Sequence, residues 1–230
     1  MARKDGRKAD EMREVKMEVG VLRNADGSAR VQIGKTIAVA SVFGPRELHP
    51  KHLQDNEKAV LNCIYMMAPF STTERVRPGP SRRSHEISLV TKSALEKVVN
   101  LKDHPKAVID VYILIEQANA GTRTAGINAA SLALADAGIQ MSDLVTSIAS
   151  GKVDGEYVID LSGDEEKITG CDLPVAYLPR SKEITLLQMD GDLSKADVKG
   201  VLKMCIRGCE KLHKIQVDAL KKKWEAETSK

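Results

Sequence analysis

Aromatic side chains are scarce in this sequence: two Phe, four Tyr and one Trp among 230 residues. A core built on stacked rings is therefore excluded, and small and β-branched aliphatic side chains must fill the interior. Cysteine is scarce too. Cys63, Cys171, Cys205 and Cys209 make no CxxC pair and are too scattered for a disulfide framework, which excludes a stapled secreted scaffold and argues against a zinc site. Neither sign of charge dominates, with 35 Lys and Arg against 32 Asp and Glu and a formal net of +3. Such a chain cannot hold nucleic acid by bulk charge, so any site of that kind must be a local basic patch. No uncharged apolar run is long enough to span a bilayer, and Met1–Asp10 lacks the apolar core of a signal peptide. A soluble, cytoplasmic protein with no membrane partner is expected. Also missing are a Walker loop, a GxGxxG after a strand and a Ser/His/Asp order.

What the sequence does contain is a succession of strand and helix signals without internal repeats. They indicate one mixed α/β domain over residues 1–230, with a short polar N-terminal tail (1–12) and a charged C-terminal tail (221–230). Val15, Met17, Val19 and Val21 alternate with polar residues as in a half-buried strand, and Asp26-Gly27 signals a hairpin turn into strands over Ala29–Phe43 broken near Gly34-Lys35. Ala59–Ala68 reads as a further strand. The segment Ser84–Asn100 repeats apolar residues at helical spacing, with Ser84 as N-cap. Val108–Ile115 is apolar enough for a central strand, and it leads to an alanine-rich helix with a narrow buried stripe, ended by Gly138. Leu144–Ser150 and Val153–Asp160 read as strands joined through Gly151-Lys152, with Asp154-Gly155 as a further turn candidate, and Leu173–Leu178 and Glu183–Met189 read as two more. From Ser194 a long helix buries Val198, Val201, Leu202, Cys205, Cys209 and Leu212.

Three clusters carry chemistry. Gly121-Thr122-Arg123 stands where a strand passes into a helix, and free N–H groups of a first helical turn, a glycine and two polar donors suit an anion, phosphate above all. The irregular segment Pro69–Ser84 holds Arg75, Arg77, Arg82 and Arg83, a basic loop that invites a polyanion, while Lys51 sits in a separate exposed basic loop. Glu166 and Asp172 lie six residues apart near Asp160, Asp164 and Glu165, and hard oxygen donors of this kind suit magnesium. Turn, solvated loop and acidic edge remain the plain alternatives for the three.

Asp5-Gly6-Arg7 with Met12-Arg13, Phe43–Glu47, Met67–Ser71, Arg82-Arg83-Ser84, Gly121–Gly138, Gly151–Gly155 and Leu186–Gly191 together resemble the RNase PH family, and within it the phosphorolytic subunits of archaeal exosomes. The likeness runs in order over nearly the whole chain. It implies a βαβα-type mixed fold and a ring of six domains, in which this subunit alternates with a catalytically silent paralogue as a trimer of heterodimers beneath RNA-binding cap proteins. It also implies 3′-to-5′ phosphorolysis of single-stranded RNA, with inorganic phosphate as co-substrate, nucleoside diphosphates as products, and RNA tailing as the reverse reaction. By motif, Gly121, Thr122 and Arg123 match the phosphate turn, Arg83 an arginine at the attacking phosphate, and Asp172 the essential aspartate. Arg82, Arg75, Arg77 and Lys51 would guide RNA, and Asp172 with Glu166 would hold magnesium or manganese. Glu166 departs from the Asp expected there. A non-catalytic RNA-binding scaffold subunit of the same ring is the alternative, and a homohexameric tRNA-trimming enzyme a third possibility.

Overall fold

The structure, a computed structural model, describes residue 3 and residues 5–228. Alternating buried and exposed side chains build the first sheet from β1 (Val15–Val19), β2 (Gly27–Ile33), β3 (Thr36–Glu47), β4 (Val60–Met67) and β5 (Ala107–Gln117), in the order β1-β2-β3-β5-β4. Its neighbours are antiparallel except β4 and β5. Those two run parallel because the chain crosses between them through α1 (Arg82–Leu95), and both therefore end at the same edge of the sheet. The apolar β5 is an interior strand, as its composition leads one to expect.

A second sheet holds β6 (Thr146–Val153), β7 (Glu156–Ile159), β8 (Cys171–Leu178) and β10 (Asp190–Gly191) in the order β10-β8-β6-β7, with β9 (Glu183–Leu187) also paired to β8. Between the sheets lies α2 (Thr122–Asp136). It is buried nearly all round rather than along a narrow stripe, since it packs on both sheets, and alanines with Gly126 make that approach possible. A Cβ on Gly27 would lie 2.3 Å from the Ala137 nitrogen and 2.4 Å from the Ala133 carbonyl oxygen, both backbone atoms that cannot swing away. Gly27→Ala is accordingly expected to lower stability by about 1–3 kcal/mol in a urea titration.

The far face of the second sheet is covered by α4 (Lys195–Thr228), whose Val201, Cys205, Cys209 and Leu212 are wholly buried. Burial pushes the Cys205 thiol up to about 12, so it packs as a hydrophobe. All four cysteines are free and buried.

Several local expectations change. The C-terminal charged segment continues α4 over residues 221–228, while residues 229 and 230 lie outside the described residues. The polar N-terminal tail is docked on the fold: Arg3 is buried, and Ile159 donates its N–H to the Ala9 carbonyl. Residues 1, 2 and 4 lie outside the described residues. The first helix is capped by Ser81 instead of Ser84, because the two serines form a reciprocal capping box, which brings Arg82 and Arg83 into its first turn. Gly151-Lys152 lies inside β6, and the hairpin to β7 turns at Asp154-Gly155. Gly151 is required there by proximity: its Cβ would lie 2.4 Å from the Cys171 carbonyl oxygen. The acidic loop contains a single helical turn, α3 (Gly163–Glu166), capped by Ser162.

Candidate active site

Five backbone features meet at one edge of the molecule. The parallel strands β4 and β5 end there, α1 and α2 begin there, and the first residues of β8 face them from the second sheet. Ala120 and Gly121 both have positive φ, 61° and 64°, and this left-handed pair turns the chain sharply from β5 into α2. Gly121 caps α2 without any side-chain hydrogen bond, so the N–H groups of that first turn are available to an anion. By contrast, α1 already spends one N–H on Ser81.

Beside this turn the guanidinium of Arg123 is held by Glu86 of α1, its Nη2 donating to Oε1 at 3.0 Å and Oε2 at 3.1 Å. Gln188, just past β9, donates to the same Glu86 Oε1 at 2.9 Å. Three elements from both halves of the fold thus orient one arginine. Tyr65 rises from β4 into the same corner, where burial first of all raises its phenol, and Thr122, Arg83 and Arg123 are its neighbours. The Tyr65 hydroxyl, the Thr122 hydroxyl, Nε of Arg123, Oδ1 of Asp172 and Oε1 of Gln188 are buried polar atoms without a hydrogen-bond partner among the described residues. Groups of this kind are costly to leave unmatched, and their concentration in one corner marks a place shaped for a polar ligand.

Asp172 supplies the negative side. It opens β8 between Gly151 of β6 and Asp190 of β10, its register partners. Its carboxyl is pushed up to about 6, mainly by burial and next by the charge of Glu166, with Asp190 adding to the repulsion; Arg123 and Arg83 act in the other direction. Asp172 therefore lies within electrostatic reach of both Arg83 and Arg123. Glu166 ends α3 and is exposed, near enough to repel Asp172. The described residues contain no group of three or more His, Cys, Asp or Glu side chains set to hold a metal ion. One buried, unmatched carboxylate oxygen and a second carboxylate nearby still suit a magnesium-like ion, which keeps waters and takes its remaining ligands from substrate phosphates. A cation held by the Asp172 carboxyl would have to compete there with a proton. Divalent-cation affinity should weaken as pH falls through about 6 and level off above it, which calorimetry across that range would measure.

The remaining expected residues divide. Arg82 lies in the first turn of α1, and Arg75 and Arg77 are exposed on the adjoining loop, so they flank the corner. Lys51 lies elsewhere. Its loop packs on residues 101–106, ahead of the first residues of β4 and β5, and β5 separates it from Gly121 by about 30 Å or more. Sequence reasoning missed Tyr65, Glu86, Gln188 and Asp190. Glu86 left a trace as an acid placed three residues after Arg83, and Gln188 and Asp190 lie in the Leu186–Gly191 stretch of the family resemblance without a role assigned there. No helix among the described residues is long and apolar enough to cross a membrane.

Comparison with known proteins bears on this arrangement. The chain is 54% identical over 220 residues to the exosome complex component Rrp41 of Thermococcus kodakarensis, covering 96% of this chain and 88% of that one. It is 50% identical to the component of the same name from Methanopyrus kandleri, over 96% of this chain and 93% of the relative. Among solved structures, rice Rrp46 superposes with a TM-score of 0.83 at 23% identity, covering 93% of this chain and 98% of that one. An Archaeoglobus fulgidus exosome with RNA bound to the active site superposes with a TM-score of 0.81 at 23% identity, covering 92% and 91%. These two likenesses concern the fold. Family models of the 3′ exoribonuclease (RNase PH) family match residues 11–140 as its domain 1 and residues 143–208 as its domain 2, which divides the chain between the two sheets. The chain belongs to the RNase PH family of 3′ exoribonucleases.

Proposed function

We propose that this chain is the catalytic subunit of an exosome ring and degrades single-stranded RNA from its 3′ end by phosphorolysis. One observation carries the reading: two arginines, an uncapped helix N-terminus and a carboxylate raised toward neutrality converge on a corner rich in unmatched buried polar atoms. Inorganic phosphate would lie on the Gly121 turn, held by Thr122, Arg123 and the α2 N–H groups, with Arg83 opposite. The arginines offset the repulsion between the attacking phosphate and the scissile phosphodiester and hold both in line. An oxygen of orthophosphate forms a bond to the terminal phosphorus, the bond from phosphorus to the 3′ oxygen breaks, and a nucleoside diphosphate leaves. The 3′ oxygen takes up the proton that the attacking hydrogen phosphate gives up. Asp172 and Glu166 would hold magnesium or manganese, whose charge would stabilise the reacting oxygens.

Arg82, Arg75 and Arg77 would grip the RNA backbone on its way in. Phe70, 77% exposed and lining the same depression as Arg75, offers a face on which a base can stack. Lys51, at the far end of the sheet, would meet RNA well before the reacting end. The scaffold alternative has no use for an arginine pair and a raised carboxylate facing each other. As partners the reading names a paralogous ring subunit and RNA-binding cap proteins, in keeping with relatives that are exosome components. Incubation of the chain and its paralogue with labelled RNA, phosphate and magnesium tests it. Nucleoside diphosphates appearing only with phosphate are expected, and monophosphates released without phosphate would contradict it.

A further inference from the structure

Three arginines of the N-terminal segment converge on the stretch that leads into Glu166. Arg3 grips Glu165 through Nε and Nη2, each at 2.6 Å, and donates to the carbonyls of Ile159 at 2.8 Å and Asp160 at 2.9 Å. Arg7 donates to the Asp160 carbonyl at 3.1 Å. Arg13 clasps the Asp160 carboxylate, from Nε to Oδ2 at 2.9 Å and from Nη2 to Oδ1 at 2.7 Å. The third nitrogen of that same guanidinium, Nη1, donates to the carbonyl of Asn119, two residues before Gly121. Arg13 is thus a direct strut between the phosphate turn and the acidic segment.

The segment needs such support. A single helical turn does not hold itself together in water, and Glu165 is the one buried residue of α3. Its carboxylate also accepts the Ser162 N–H at 2.8 Å, so the Arg3 pair fixes the turn from which Glu166 projects. Asp160, with φ 53°, holds a conformation that L residues seldom adopt, and Arg13 secures it. Buried ion pairs contribute little net stability but fix geometry, and the planar fork of arginine fixes it in two dimensions.

We infer that the N-terminal segment, through Arg3 and Arg13, is a positioning element that sets the distance of the Glu166 carboxylate from the phosphate-binding turn and from Asp172, and hence the affinity of the carboxylate pair for a divalent cation. The identity of the ligands rests on the proposed function. Neither arginine touches a reacting group.

The test uses the full chain assembled with its paralogous subunit, with Mn2+ as probe, titrated by electron paramagnetic resonance. Arg3→Lys and Arg13→Lys keep the charge and lose the fork. Each is expected to weaken Mn2+ binding by roughly 10- to 100-fold. RNA affinity measured without metal should not change, nor should the circular dichroism spectrum. A folded lysine variant with wild-type Mn2+ affinity overturns the inference. If Arg3→Lys does not fold, the double variant Arg3→Met with Glu165→Leu removes both buried charges together; it is expected to fold and show the same loss, and unchanged affinity again overturns the inference. Wild-type protein that binds Mn2+ yet releases no diphosphate contradicts the proposed function alone.

Discussion

Asp172→Asn is expected to reduce phosphorolysis by about 10³-fold while leaving the protein folded and able to bind RNA. The substitution is nearly isosteric, yet it removes the partly buried carboxylate facing Arg83 and Arg123, and with it the group proposed to anchor a cation. Stability should move the opposite way. The folded-state pKa of Asp172 is raised from the usual 3.8 to about 6, so whatever this side chain contributes is fully present below the lower value and is lost as pH rises through the higher one. Above that window the ionised carboxylate is a liability, buried and repelled by Glu166 and Asp190. Asn has no charge to repel, and the metal-free variant is expected to melt about 2–4 °C higher at neutral pH for each kcal/mol of repulsion relieved. Calorimetric melting together with single-turnover RNA degradation checks both halves. An Asp172→Asn protein that remains active would remove the acidic half of the site.

Arg123→Met comes next in size. It deletes the guanidinium beside the Gly121 turn and should raise the KM for phosphate roughly 10- to 100-fold, the range for losing a charge-assisted hydrogen bond. The KM for RNA should change far less, because Arg82, Arg75 and Arg77 remain. A second consequence has a definite sign. Arg123 is one of the two cations that favour the ionised form of Asp172, so its loss raises the Asp172 pKa further and moves the acid limb of the pH profile to higher pH. Steady-state kinetics with phosphate varied across pH measures both. A change in the RNA KM with none in the phosphate KM would reassign Arg123 to the RNA path.

Much of this molecule was legible in its residues. Alternation in β1 and β2, the apolar run of β5 and the four-residue spacing in α4 each report a burial pattern, and burial is what the structure realises. The Gly121 turn was legible because strand, glycine and helix onset adjoin in sequence. Other features depend on distant pairs and leave no local mark. Ser84 looked like a cap because it precedes the apolar repeat, but the choice between Ser81 and Ser84 was decided by a reciprocal pair of hydrogen bonds. Gly151 looked like a turn because its other possible reason, the Cys171 carbonyl, lies twenty residues on. Likewise Arg3 looked like tail charge, whereas its partner Glu165 is 162 positions away. Arg83, Arg123 and Asp172 were brought together on paper by family resemblance, and by tertiary packing in the structure.

One measurement addresses the convergence of the two phosphates most directly: supplying the assembled protein with unlabelled RNA, magnesium and radiolabelled orthophosphate, and locating the label. It is expected in the terminal phosphate of the released nucleoside diphosphate, with no transfer by Asp172→Asn. Shortened RNA accompanied by unlabelled monophosphates, with the label still in free phosphate, would contradict a site in which orthophosphate is the attacking group.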